Sequence, residues 1–150
     1  MNQLGGSALY LGPDQVKLGE RESVEDIAIV LSGYVDGIMA RVFGHHLIDG
    51  LAKYSRVPVI NGLSDFEHPC QILGDMLTVW ERKGRLQNLK MTFIGDGNNV
   101  ANSLAFGAAR LGMHFAIASP EGYELRPEVI QSAKEDIQAF HSGGSVTQLR

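Results

Sequence analysis

The chain is expected to be an α/β protein with parallel sheets and helices on both faces. Three observations predict this. Short apolar runs alternate with segments of helical periodicity along nearly the whole length, the pattern of parallel strands joined by helical crossovers. Glycine supplies 18 of 150 residues, well above the usual ~7%, which suits tight turns between short elements and close backbone approach to a ligand. The composition is globular: 44% hydrophobic and 20% charged, so disorder is not the default.

Each element has its own local reason. Ser23 can cap a helix that starts in Glu22-Ser23-Val24-Glu25-Asp26, with Asp26 in the place of a capping-box acid. Val24, Ile27, Ala28 and Leu31 then fall at helical spacing, and Gly33 ends the run. Val35 to Val42 reads as a strand. A second helix is expected from His45 to Ser55, with Leu47, Ile48, Leu51 and Ala52 on one face. Val57 to Ile60 reads as a short buried strand, closed by an Asn61-Gly62 turn. Pro69 opens the next helix, since its missing N–H costs nothing in a first turn. That helix carries Ile72, Leu73, Met76, Leu77 and Trp80 and fades at Gly84. The polar stretch Glu81 to Asn88 is the best candidate for a domain boundary.

The alternation then repeats. Lys90 to Ile94 is a strand, followed by the loop Gly95-Asp96-Gly97-Asn98-Asn99. Val100 to Leu111 is a helix with Leu104, Ala108 and Leu111 inward. Met113 to Ala118 is a strand, Ser119 to Tyr123 a loop, Pro127 to Phe140 a helix, and Ser145 to Leu149 a final strand signal. In such sheets ligands bind beyond the carboxyl ends of the strands. The informative residues should therefore lie at Arg41 to His46, Asn61 to Gln71, Gly95 to Asn99, and Ser119 to Tyr123.

Composition narrows the function classes. A single cysteine makes no internal disulfide. No apolar run approaches the ~20 residues of a membrane helix, and no basic segment leads into an apolar stretch near Met1, so a signal peptide is not expected. A net charge of -4 gives no general footprint for nucleic acid.

Four constellations can carry chemistry. His68-Pro69-Cys70-Gln71 begins a helix directly after a strand and loop, where free N–H groups and the positive dipole end suit an anion or a developing oxyanion. The alternative is that His68 only caps the helix while Cys70 and Gln71 face packing or solvent. Arg41 ends a strand, where its planar fork can clamp phosphate or a carbonyl oxygen; equally, it is a surface arginine at a strand end. Gly95-Asp96-Gly97-Asn98-Asn99-Val100 fails as a dinucleotide fingerprint, because Val100 stands at the third glycine and no acid follows the next strand at Ala118-Ser119. The amides of Asn98 and Asn99 can bind amino or carboxylate groups, or the segment is a plain turn. His45, His46, His68 and Cys70 lack convincing metal-ligand spacing. No base is identifiable that would make Cys70 a nucleophile.

Taken together the motifs resemble the aspartate/ornithine carbamoyltransferase superfamily, on its ornithine branch. The matching stretches are Asn2-Gln3-Leu4-Gly5-Gly6, Glu22 to Asp26, Met39-Ala40-Arg41-Val42-Phe43-Gly44-His45, Pro58 to Leu63, His68-Pro69-Cys70-Gln71, and Gly95 to Ser103. Cys70 within His-Pro-x-Gln and the Asn98-Asn99 pair resemble the ornithine branch in particular.

The resemblance implies parts of two Rossmann-like domains. Residues 1–84 would be the latter part of a carbamoyl-phosphate domain and residues 85–150 the first part of an ornithine domain. It implies carbamoyl transfer from carbamoyl phosphate to the side-chain amine of L-ornithine, in a cytoplasmic homotrimer acting in arginine biosynthesis. No cofactor or metal is implied, and no nucleic acid or membrane partner. Arg41 and His68 would polarise the carbamoyl oxygen, with Pro69, Cys70 and Gln71 completing the carbamoyl-phosphate site. Asn99 would hold ornithine. Lys17 stands where the family places a glutamine near the phosphate of a neighbouring subunit, with Gln15 close by. The family's Ser-Thr-Arg-Thr-Arg loop, its Asp and Ser-Met-Gly segment and its His-Cys-Leu-Pro stretch have no counterpart in these 150 residues. The expectation is therefore an internal fragment, inactive alone. The competing readings are a paralogous transferase for another amine such as putrescine, a non-catalytic Rossmann-like binding module and, disfavoured by the failed fingerprint, a nicotinamide enzyme.

Overall fold

A computed structural model describes residues 1–149. The elements in order are α1 (Pro13–Val16), α2 (Val24–Leu31), β1 (Ile38–Arg41), α3 (His45–Tyr54), β2 (Val59–Leu63), α4 (Pro69–Lys83), β3 (Lys90–Ile94), α5 (Asn99–Arg110), β4 (His114–Ala118), α6 (Pro127–Ala139) and β5 (Ser145–Leu149), after a short 3-10 turn at Asn2–Leu4. Strands β1 and β2 pair, and β3, β4 and β5 form a second sheet in that order. The α/β alternation expected from the sequence is what forms. By its internal contacts the chain divides into two compact units. One comprises Met1–Ile38 with His46–Ile60, the other Met39–His45 with residues 61–149.

In the first unit, Ser23 caps α2 by accepting from the Asp26 amide at 3.1 Å, and its hydroxyl donates to the Asp26 carboxylate at 2.7 Å. The acid thus closes on the hydroxyl rather than on the main chain of Ser23. Ile27 and Ala28 of α2 and Ile48 and Leu51 of α3 are buried. Gly50 receives Val24, whose Cγ1 lies 2.8 Å from where a β-carbon would stand, so the two helices meet at a glycine. Ala52, expected inward, is exposed.

Several boundaries differ from expectation. The strand drawn from Val35 begins at Ile38, because Gly33, Tyr34 and Val35 donate back to Val30 and Leu31 and extend the turn after α2. Asn61-Gly62 is no turn; it lies inside β2. Gly62 allows this, since a β-carbon there would sit 2.6 Å from Met39 Sδ and 3.2 Å from the Ala40 carbonyl oxygen. Helix α1 escaped the sequence reading, although Pro13 stands at its start and the Gln15 side chain accepts from the Gly12 amide at 2.7 Å.

The second unit carries the larger core. It gathers Ile72 and Met76 of α4, Leu104, Ala105 and Ala108 of α5, Phe115 and Ile117 of β4, Val129 and Ala133 of α6, and Val146 of β5. Strands β3, β4 and β5 are parallel, with Met91 opposite Phe115 and Phe115 opposite Val146. Alternate side chains therefore line one face, against which α5 and α6 pack. On the other face Ile94 is 83% and Leu149 45% exposed. Leu111, expected inward, caps α5 and is exposed. Helix α4 splits its apolar residues: Ile72 and Met76 are buried, whereas Leu73, Leu77 and Trp80 are exposed.

Candidate active site

The residues singled out from sequence fall mostly in the second unit, around the loop from Ser64 to His68 that joins β2 to α4. Arg41 ends β1 with its side chain exposed. The backbone just beyond it is tied to that loop's start. Val42 donates to the Leu63 carbonyl at 3.0 Å and Asp65 donates to the Phe43 carbonyl at 2.7 Å. The Asp65 carboxylate then accepts from the His45 amide at 2.9 Å.

His68 occupies the N-cap position of α4, with no side-chain capping bond. Capping alone therefore does not account for this histidine. Its Nδ1 is buried and finds no hydrogen-bond partner among the described residues. Its backbone N–H donates to Ser103 Oγ at 2.9 Å. Pro69 fills the first helical position. Cys70 is an exposed free thiol whose Sγ lies 3.4 Å from the Asn61 carbonyl oxygen, a weak polar contact. Gln71 is exposed and donates from Nε2 to Asp75 one turn on, at 2.9 Å. That bond leaves its carbonyl oxygen able to accept from an amide.

Asn98 and Asn99 take different work. Asn98 Oδ1 caps α5, accepting from the amides of Val100 at 3.0 Å and Ala101 at 3.1 Å. Asn99 Nδ2 donates to the Ser64 carbonyl at 2.7 Å, which leaves Oδ1 to accept from an ammonium or amide group. Asn99 and the loop leading into His68 are thereby brought together, although Asn99 and Ser64 lie 35 positions apart in sequence.

Lys17 lies in the first unit. It is exposed and caps α1 in the left-handed region at φ 47. Its neighbour Gln15 spends its side-chain oxygen on Gly12.

Sequence reasoning missed Ser64, which is wholly buried. Its hydroxyl meets His45 Nδ1 at 2.7 Å and accepts from the Glu67 amide at 3.0 Å, while its own amide donates to the Glu67 carbonyl at 2.8 Å. A Ser-Asp pair directly after a strand was the available signal, since both residues favour side-chain-to-backbone turns. Phe66 packs edge-on to His45, with ring centroids 5.2 Å apart. Among the described residues no group of His, Cys, Asp and Glu could hold a metal ion. Within them no helix is long and apolar enough to cross a membrane.

Two family models together match nearly the whole chain. Residues 1–81 match the carbamoyl-P binding domain of aspartate/ornithine carbamoyltransferase, and residues 87–149 its Asp/Orn binding domain. The chain belongs to the aspartate/ornithine carbamoyltransferase family. An ornithine carbamoyltransferase of Thermococcus kodakarensis is 55% identical over 147 residues, which are 98% of this chain and 46% of that protein. One of Pyrococcus furiosus, named anabolic, is 52% identical over 149 residues, 99% of this chain and 47% of its own. The solved structure of an ornithine carbamoyltransferase from Pyrococcus furiosus superposes with a TM-score of 0.94 at 50% identity, covering 100% of this chain and 47% of that one. The chain thus spans about half the length of the carbamoyltransferases it matches. His68 precedes the end of the first family match, and Asn99 lies within the second. The hydrogen bond from Asn99 to Ser64 therefore joins the two matched regions.

Proposed function

We propose that this chain is part of an enzyme that transfers the carbamoyl group of carbamoyl phosphate to the side-chain amine of L-ornithine, giving L-citrulline and phosphate. The observation that carries the reading is the pairing just described. The stretch presenting His68, from the carbamoyl-P region, is bonded directly to Asn99, from the Asp/Orn region. The neutral amine attacks the carbamoyl carbon and its lone pair forms the new C–N bond. The carbonyl electrons move onto oxygen, return as the C–O bond to phosphate breaks, and the amine proton is lost. Phosphate is already a good leaving group, so positioning and oxyanion stabilisation carry the rate.

In this reading Arg41 and His68 donate to the carbamoyl oxygen, where negative charge develops. Gln71 accepts from the carbamoyl N–H₂, and Pro69 and Cys70 hold the turn that places it. Asn99 accepts from the ornithine amino group. Lys17 faces phosphate as a point charge, without an amide's directed geometry. Residues 1–84 contribute to the carbamoyl-phosphate domain and 85–150 to the ornithine domain. The complete enzyme works as a cytoplasmic homotrimer in arginine biosynthesis.

The test is citrulline formation by the full-length protein, with putrescine and other amines offered in parallel. His68→Ala and Arg41→Ala should each lower kcat by about a hundredfold or more, as loss of an oxyanion donor does. Unchanged turnover in either variant removes that residue's role, and preference for another amine removes ornithine as the substrate.

A further inference from the structure

The loop that presents His68 is held by one face of α5. Asn99, Asn102 and Ser103 stand at helical spacings of three and four, so their side chains share a face. Each takes an alternate residue of the loop. Asn99 Nδ2 donates to the Ser64 carbonyl at 2.7 Å, and Asn102 Nδ2 donates to the Phe66 carbonyl at 2.9 Å. Ser103 Oγ accepts from the His68 amide at 2.9 Å. Asn102 and Ser103 are 3% and 4% exposed, so their ends of these bonds are shielded from water.

The last of the three bonds bears most directly on His68. Pro69 has no N–H, so the His68 amide is the one main-chain donor of the His68-Pro69 pair. The His68 ring is not anchored through Nδ1, which is buried and unpaired among the described residues. What locates the imidazole is therefore its main chain, and Ser103 holds it. Resting on the carbamoyl-transfer reading above, we propose that Ser103 is a positioning residue for His68. It sets where the imidazole meets the substrate's carbamoyl oxygen without touching substrate itself.

The test uses the full-length protein and two variants. Ser103→Ala removes the acceptor; Ser103→Thr keeps it. In Ser103→Ala, kcat for citrulline formation should fall about tenfold, the size of one buried hydrogen bond carried into the transition state. KM for ornithine should stay within about twofold, because uniform binding is untouched. Circular dichroism at the assay temperature should match the unmodified protein, and Ser103→Thr should recover most of the rate. A Ser103→Ala variant of undiminished kcat overturns the proposal, as does a Ser103→Thr variant as slow as Ser103→Ala. Amide hydrogen exchange in the unmodified protein decides the matter if neither variant folds: the His68 amide must exchange slowly, and rapid exchange overturns the clamp. This readout also separates the two claims. An unmodified protein that makes no citrulline removes the carbamoyl-transfer reading, while His68 protection still reports on Ser103.

Discussion

Ser64 shows how much a single small side chain can organise. It is fully buried, and its hydroxyl serves His45 and Glu67 while its carbonyl serves Asn99. Ser64→Ala keeps the carbonyl but removes the hydroxyl's bonds to His45 Nδ1 and to the Glu67 amide. The expected loss is about 1–3 kcal/mol of stability, read from a urea melt with unchanged slope. The glycines separate in the same way. A β-carbon on Gly97 would lie 2.5 Å from the Glu124 carbonyl oxygen and 2.6 Å from its carbon, both main chain. Gly97→Ala should therefore cost about 1–3 kcal/mol in thermal or urea melts. Gly62→Ala meets chiefly Met39 Sδ, at 2.6 Å, a side chain that can turn aside. It should be the milder of the two, and the reverse order would contradict this account of Gly97.

At the scale of elements, α5 depends on its start. Asn98 satisfies two amides of the first turn, and the same turn presents Asn99. Asn98→Ala should cost about 1 kcal/mol and lower the melting temperature by a few degrees. The ion pair from Arg110 on α5 to Asp136 on α6 spans 2.8 Å, but the Arg110 side chain is 57% exposed. Its removal in Arg110→Ala should cost no more than about 1 kcal/mol, because solvent screens it. Elements with strong local signals were legible in advance: α2 from Ser23, α4 from Pro69, and β3 and β4 from their apolar residues. Boundaries were less so. Asn61-Gly62 has the dipeptide chemistry of a turn, yet it lies in β2 where a β-carbon at Gly62 would approach Met39 and the Ala40 carbonyl oxygen of the neighbouring strand, a non-local contact. The inward faces of α3 and α5 were misjudged at Ala52, which is exposed beside the buried Leu51, and at Leu111, which lies past the last helical residue as the C-cap of α5.

At the scale of the whole molecule, the two compact units differ in how much apolar surface they bury. The second holds a contiguous cluster from Ile72 to Val146, whereas the buried apolar residues of the first are Ile27, Ala28, Ile38, Ile48 and Leu51. Opening free energy follows local burial. Amides of β4 and α5 should therefore exchange slowest with solvent, and those of α2 and α3 faster. Uniform exchange across both units would refute that ranking. Much of the candidate site was open to sequence reading, because His68-Pro69-Cys70-Gln71, Arg41 and Asn98-Asn99 are compact motifs of polar residues after strands. Ser64, Asn102 and Ser103 were not, since their roles rest on hydrogen bonds to residues distant in sequence: His45 and Asn99 for Ser64, Phe66 for Asn102 and His68 for Ser103.

The division follows from the range of the forces. The amino-acid sequence by itself determined the α/β alternation, the capping of α2 by Ser23 and the opening of α4 by Pro69. It also determined the family, because each of these signals lies within a few consecutive residues. Only the tertiary structure decided that Asn99 reaches the Ser64 carbonyl, that Gly62 lies within a strand, and that Ser103 holds the amide of His68. Each of those is a hydrogen bond or a close approach between segments that only packing brings together, and no local pattern in the chain encodes its partner.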